Sequence, residues 1–307
     1  MANRSRTVIT ESNSKHKSRM LTALQKMSSL NDKAIIPSGV WGSTATVKSG
    51  DVTIKSEELD LEFDVPFDDD LESNEGEIIV YNLTDSTINH LKANAGITIR
   101  AGYTDDTGLI FDGYITKVRS YHDGADKITK IKIIDDIKKK ENINITFSSG
   151  SKASYILKEL LKKTNAVIAV FETVSDYTYE NDETVNEPLE TAIKKYSEVC
   201  GVSVFKRNGS LYCCRLKKAS PNYKLIVEED TGLIGSPSPF EEIVQTEGED
   251  QTIKGYEFDM ILQHRACAGV PVTLKSKSEG TKNLYIKSGV HRFNESECTT
   301  SIKAVLA

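Results

Sequence analysis

The sequence of 307 residues has one tryptophan, Trp41, and only 7% aromatic residues. That poverty argues against a carbohydrate-binding module, which stacks sugars on exposed aromatic platforms. The five cysteines (Cys200, Cys213, Cys214, Cys267 and Cys298) are an odd number with no CxxC spacing. They therefore indicate neither a paired disulfide framework nor a zinc site, and a reducing compartment fits them best. Cys213 and Cys214 are neighbours on an expected strand and should face opposite sides of it. The longest apolar run, Ala166 to Phe171, is far too short to span a bilayer, and no apolar stretch of signal-peptide type follows the basic N-terminus. No membrane-spanning segment is expected, and the chain reads as made in the cytoplasm.

Catalytic and nucleotide-binding motifs are also missing. There is no GxxxxGK[ST], GxGxxG or GxSxG. His16, His90, His122, His264 and His291 are scattered, without HxxxH or HExxH spacing, and read as structural or surface residues. Phe67-Asp68-Asp69-Asp70 is acidic but lacks the alternating ligands, central glycine and terminal glutamate of a calcium loop, so it reads as a solvated turn. One enzyme-like feature exists, a repeated pentapeptide: Asp106-Thr107-Gly108-Leu109-Ile110 and Asp230-Thr231-Gly232-Leu233-Ile234. Two DTG loops suggest the carboxylate dyad of an aspartic protease, in which two acids share one proton. Such loops need apolar residues before the aspartate, whereas Asp105 and Glu229 stand there. Asp106 and Asp230 are the only candidate dyad, and the expectation is no catalytic, cofactor-binding or metal-binding residue and no cofactor.

Net charge is −6, unevenly spread: residues 1 to 33 carry about +5, with Glu11 and Asp32 as their only acids, and the remainder about −11. An acidic body does not wrap duplex DNA, whose phosphates must be met by Lys and Arg, although it can line a channel through which DNA slides. The basic arm carries Met20, Leu21, Leu24, Met27 and Leu30 as an amphipathic helical stripe.

Periodicity divides the rest. From residue 34 to 147 the pattern is mainly period two. Leu59, Leu61, Phe63 and Val65 alternate with Asp60, Glu62 and Asp64, and Ile97, Ile99, Ala101 and Tyr103 form another strand. Between them Leu83-Thr84-Asp85 opens a helix capped by Thr84, stapled from Leu83 onto Ile88 and ended by Gly96. Asp105 to Gly108 is a turn, and Asp123-Gly124 marks a hairpin. Lys138-Lys139-Lys140-Glu141 is a boundary. Residues 148 to 217 form an α+β unit. In it Ser151 caps a helix bearing Ala153, Ile156, Leu157, Leu160 and Leu161, and Asn186 caps a second bearing Leu189, Ala192, Ile193, Tyr196 and Cys200, closed by Gly201. Strands meet there around Asn208-Gly209. Residues 218 to 307 return to strands, with Gly232 to Glu242 as a loop. The fold class is α+β, mainly β.

The run Leu61-Glu62-Phe63-Asp64-Val65-Pro66-Phe67-Asp68-Asp69-Asp70, then Ile79-Val80-Tyr81-Asn82-Leu83-Thr84, Ala101-Gly102-Tyr103 with Asp106-Thr107-Gly108, and Phe111-Asp112-Gly113 resembles the tail hub proteins of bacteriophages and tailocins, most closely those of phages of Gram-positive hosts. The resemblance is most specific over residues 57 to 136 and returns in Gly232 to Pro237 and Tyr285 to Val305. It implies two tail-tube-like β-barrels flanking the α+β unit, and a homotrimer forming a pseudo-sixfold ring between a hexameric tube and a threefold tip. It also implies a structural role without enzymatic activity. The implied partners are the tail tube protein, a spike or tip protein, baseplate wedge or sheath-proximal proteins, the tape-measure protein in the lumen, and DNA in transit without specific binding. The location would be the tail baseplate of a virion or bacteriocin particle. A tail-associated peptidase or wall hydrolase, resting on the DTG pair, and a host-surface adhesin are the alternatives.

Overall fold

A computed structural model describes residues 33–35, 42–103, 106–135, 142–207, 210–246 and 249–306. The amphipathic stripe of the arm, His16, Trp41, the lysine run at 138–140 and the Asn208-Gly209 pair lie outside the described residues. Most described residues are in strands, as the period-two pattern requires.

The first β half contains β2 (Ser43–Ser49), β3 (Val52–Lys55), β4 (Leu61–Phe67), β5 (Glu75–Tyr81), β6 (Gly96–Tyr103), β7 (Asp106–Asp123) and β8 (Asp126–Ile134). Its order is β4-β5-β8-β7-β6-β2-β3, all antiparallel. The alternating residues Leu61, Phe63 and Val65, Ile78 and Val80, Ile97, Ile99 and Ala101, and Ile131 and Ile133 point into one buried cluster. Between β5 and β6 lies α1 (Asp85–His90), where the Thr84 hydroxyl accepts from the Thr87 N–H and satisfies one donor of the first turn. The helix stops at His90, before Gly96, which opens β6 instead. Part of the turn expected over Asp105 to Gly108 is strand instead: Ala101 pairs with Gly108 and Tyr103 with Asp106, so Asp106, Thr107 and Gly108 belong to β7. The β7–β8 loop is Gly124-Ala125, with Gly124 at φ 60°, a hairpin geometry that glycine reaches without steric cost.

The α+β unit has β9 (Asn142–Phe147) paired with β11 (Glu183–Pro188). A three-stranded sheet orders β10 (Val167–Phe171), β13 (Ser210–Cys214) and β12 (Ser203–Arg207). Helices α2 (Ala153–Lys163) and α3 (Leu189–Val199) bury the expected stripes, Ala153, Ile156, Leu157, Leu160 and Leu161 against Ala192, Ile193 and Tyr196. Both predicted caps are wrong. The N-cap of α2 is Lys152 without a side-chain bond, and the Ser154 N–H is met at 2.9 Å by the carboxylate of Asp176. Asn186 lies in β11, and α3 starts after Pro188, whose fixed φ suits a helix entrance. Gly201, at φ 65°, follows α3 as expected. Ile143, Ile145 and Phe147 of β9 pack into the α+β core, although the period-two pattern runs on to residue 147.

The second half contains β1 (Lys33–Ile35), β14 (Tyr223–Glu228), β15 (Leu233–Thr246), β16 (Glu249–Ile261), β17 (Pro271–Ser276), β18 (Gly280–Phe293) and β19 (Cys298–Leu306). Here β1 lies parallel to β14, so residue 34 belongs to this half and not to the first. The predicted loop from Gly232 to Glu242 is mostly strand. Among the described residues β15 pairs with β16 alone, and an edge strand tolerates Pro237 and Pro239 because the donors they lack need no ladder partner. Leu225, Val227, Met260, Val272, Leu274, Leu284, Ile286 and Ala304 fill its core.

The two halves repeat one topology. In the first, β4-β5-β8-β7 run as neighbours and β6 adds to the start of β7. In the second, β15-β16-β19-β18 do the same and β17 adds to the start of β18. Even the irregularities repeat: β7 shifts register between Ile115 and Lys117, β18 between Ile286 and Ser288. Just before each shift the backbone reaches past the neighbouring strand, Ile115 to Ala95 and Ile286 to Gly269 and Val270.

Candidate functional site: the joint between the β halves

The halves are welded into one 14-stranded sheet by β18 and β4, which pair from Gly289 opposite Phe67 to Phe293 opposite Phe63. The Phe63 and Phe293 rings stack at 5.5 Å, and Phe293, Ile261 and Leu262 of the second half are buried in the core of the first. On the solvent face the Arg292 guanidinium stands 3.6 Å from Asp64 and donates to Ser301 Oγ at 2.6 Å. Ser301 Oγ in turn donates to Asp259 at 2.6 Å. The Tyr103 hydroxyl donates to the Cys298 carbonyl at 2.9 Å, and burial of that hydroxyl raises its pKa far above the ordinary tyrosine value.

A polar clamp closes the same joint. Arg265 Nη1 lies 2.6 and 2.7 Å from the two carboxylate oxygens of Asp106, and Gln263 Nε2 donates to Oδ2 at 3.3 Å. Partial burial pushes the Asp106 pKa up, but the Arg265 and Gln263 bonds and the Arg265 charge outweigh it and hold the carboxyl below its ordinary value. His264 lies flat over Gly108, where a Cβ would stand 1.8 Å from the ring. Burial first, and then the Arg265 charge, lower its pKa to about 4, so the ring is neutral at pH 7. Its Nδ1 is buried without a hydrogen-bond partner. Nearby His291 is buried against the Phe67 ring at 4.9 Å, with its Nδ1 2.9 Å from Thr300 Oγ1, and burial takes its pKa to about 3.

These contacts dispose of the dyad. Asp106 answers an arginine 159 residues away and is held ionised, while Asp230 sits in a 3-10 turn, Glu229–Thr231, leading into β15. No hydrogen bond links the two aspartates, so the shared proton of an aspartic protease has no place to sit. His264 and Arg265 both meet the other half of their own chain, at Gly108 and Asp106. Cys213 and Cys214 point to opposite sides of β13 as expected, one into each of two cores, and the described cysteines are free thiols. No group of three His, Cys, Asp or Glu positioned for a metal exists among the described residues.

The α+β unit docks on both halves. Arg207 stacks on Tyr212 at 4.2 Å and donates to the carbonyls of Ala268 at 3.1 Å and Ala219 at 2.6 Å. Toward the first half, Ser203 Oγ donates to Asp69 at 2.9 Å, Lys194 approaches Glu72 at 3.5 Å, and Leu71 packs against the α+β core. The acidic run is therefore a half-buried docking loop, not the solvated turn expected. Burial and the neighbouring Asp70 raise the Asp68 pKa to about 6. Where the three parts meet, a cleft of about 2880 Å³ opens, lined by that loop, α3, Lys254 and Lys287. It is several times the size of a small-molecule site, and its charges are mixed, which suits a protein surface better than a substrate pocket.

No family model matches the chain, and no curated protein matches it by sequence. Solved structures do. The 43 kDa tail protein of prophage MuSo2 from Shewanella oneidensis superposes with a TM-score of 0.58 at 10% identity, over 86% of this chain and 98% of that one. The chain has the fold of phage tail proteins. A tail protein from Neisseria meningitidis MC58 gives 0.58 at 9% identity, covering 86% and 97%. The E. coli c3393 protein, described as a type VI secretion component similar to the T4 tail proteins gp27 and gp5, gives 0.55 at 10% identity, covering 85% and 76%. The joint with its clamp holds the two β halves together, and the Arg207 and Ser203 contacts hold the α+β unit against them.

Sequence reasoning missed Asp176 and Gln263. Each acts on a partner distant in sequence, Asp176 on the Ser154 N–H and Gln263 on Asp106.

Proposed function

We propose that the chain is a structural hub of a phage tail or tail-like particle. Three copies form a ring around a central channel and join a hexameric tail tube to a threefold spike or tip. The observation that carries this reading is the duplicated four-strand arc, welded into one sheet at β4 and β18. One chain thereby offers two similar units to a tube, and three chains offer six, which reconciles sixfold and threefold symmetry. The likeness to tail proteins supports the same reading. In this arrangement the α+β unit sits outside the ring and meets baseplate wedge or sheath-proximal neighbours, and the tape-measure protein and DNA pass through the bore without specific binding. The mechanism is symmetry adaptation and a stable bore, not chemistry. Purified protein mixed with tube protein tests it: trimers that cap tube ends support a hub, and a chain that ignores tubes does not.

A further inference from the structure

The three-stranded sheet of the α+β unit has two edges of opposite character. One is β12, which ends in Lys206 and Arg207, and charged side chains discourage an edge from pairing further. The other is β10, and β13 is its only neighbour among the described residues. It lies within Ala166 to Phe171, the longest apolar run in the sequence, and holds neither a charge nor a proline. Val167 is 48% exposed, and Ala169 is exposed too. An apolar edge of this kind invites a further strand and is rarely left bare.

The basic arm contains a segment suited to that edge. Thr7-Val8-Ile9-Thr10 is a run of four β-branched residues, whose stiff side chains favour strands over helices. We propose, independently of the hub reading, that residues 6 to 11 of the arm, which lie outside the described residues, add to β10 as a fourth strand of the same chain's sheet.

The arm ends close to this edge. β1 begins at Lys33, opposite Tyr223, four residues after the 3-10 turn Leu216–Ala219. Lys218 in that turn reaches Glu172, the residue that follows β10, at 3.0 Å. The root of the arm and the end of β10 therefore lie on one side of the α+β unit. Between Glu11 and Lys33 the chain spans about 50 Å even if the stripe from Met20 to Leu30 is wound as a helix, whereas β10 is about 17 Å long. Charge then selects the direction. Run antiparallel to β10, the segment sets Arg6 beside Glu172 and Glu11 beside Lys163, which ends α2 and has no ion-pair partner among the described residues. Run parallel, it sets Glu11 beside Glu172 and Arg6 beside Lys163. Opposite charges across a strand pair stabilise it and like charges destabilise it, so the antiparallel order is assigned. In that order Val8 and Ile9 cover the middle of the apolar edge.

The pairing of β10 with β13 shifts register between Ile168 and Val170, which leaves either Thr10 or Glu11 opposite Val167. Two full-length double variants test it, Glu11→Cys/Val167→Cys and Thr10→Cys/Val167→Cys. After mild oxidation one of them should run on a non-reducing gel as a faster monomer that reductant reverses and that no single variant gives, the mark of a bridge closed within the chain. Hydrogen exchange reads the same contact without substitutions. Amides over Ala166 to Phe171 should exchange about two- to tenfold faster in a chain lacking residues 1 to 12, the weight of one hydrogen bond, while Leu157 and Leu160 in the core of α2 stay protected in both chains. A bridge that is missing from both double variants or forms only between chains, or equal exchange with and without the arm, would overturn the proposal.

Discussion

Replacing Phe293 by alanine tests whether the β halves are one body. Phe293 lies on β18 of the second half but is 6% exposed, stacked at 5.5 Å on Phe63 inside the core of the first. Truncating a buried phenylalanine removes its transfer energy and leaves a cavity, together costing about 3–5 kcal/mol, with the aromatic pair contributing about 0.5–1.5 kcal/mol of this. The flanking strands stay paired at β4 and β18, so collapse into the cavity is restricted, and the upper part of that range is expected. Because the ring fills the other half's core, the loss should register there. Amide exchange should accelerate in β4 and β6, around Phe63 and Ile99, as much as in β18. The assay is hydrogen exchange with urea denaturation at fixed chain concentration, since assembly adds to apparent stability. Phe205→Ala, in the core between the α+β unit and the second half, is the control and should leave β6 protected. A loss under about 1 kcal/mol, or accelerated exchange confined to the second half, would refute the welded joint.

Four further outcomes follow. Gly108→Ala should displace the His264 ring, because its Cβ would fall 1.8 Å from that ring, and lower thermal stability by about 1–3 kcal/mol. Asp176→Ala removes the remote cap of α2 and should cost about 1 kcal/mol, read by denaturation of the α+β signal. Asp106→Asn should leave oligomeric mass unchanged and cost about 1 kcal/mol, the group being one-third exposed; loss of a proteolytic activity in this variant would restore the dyad. The histidines set an acid limit. His264 and His291 have folded pKa values of about 4 and about 3, below their unfolded value of 6.5, so their contribution is complete above pH 6.5 and falls as pH drops toward 4. Asp68, raised to about 6 from 3.8, works the other way: its contribution is complete below 3.8 and is lost as pH rises through 6. The unfolding midpoint measured between pH 7 and 4.5 should therefore fall on acidification, and less steeply in His291→Gln; an unchanged slope would contradict the assignment.

The features legible in the sequence were those set by near neighbours. Thr84 caps the helix three residues before its partner N–H, and the stripes of α2 and α3 followed from period 3.6 alone. The alternation in β4 and β6 likewise marked their buried faces. What failed depended on distant partners. The cap of α2 comes from Asp176, 22 residues beyond the capped N–H, and β9 joins the α+β unit because β11, some forty residues later, supplies its ladder. β15 was hidden because Gly235, Pro237 and Pro239 signal a loop, and its position at a sheet edge makes the prolines compatible with a strand. The Asp106 clamp is the extreme case: a DTG motif suggested a dyad, and an arginine from the other half turned it into a joint.

The mass of the purified full-length protein in solution, by light scattering with and without tube protein, tests the hub most directly. The account predicts a particle near three times the 34.0 kDa chain mass that adds to tube ends. A stable monomer with no affinity for tubes would contradict it.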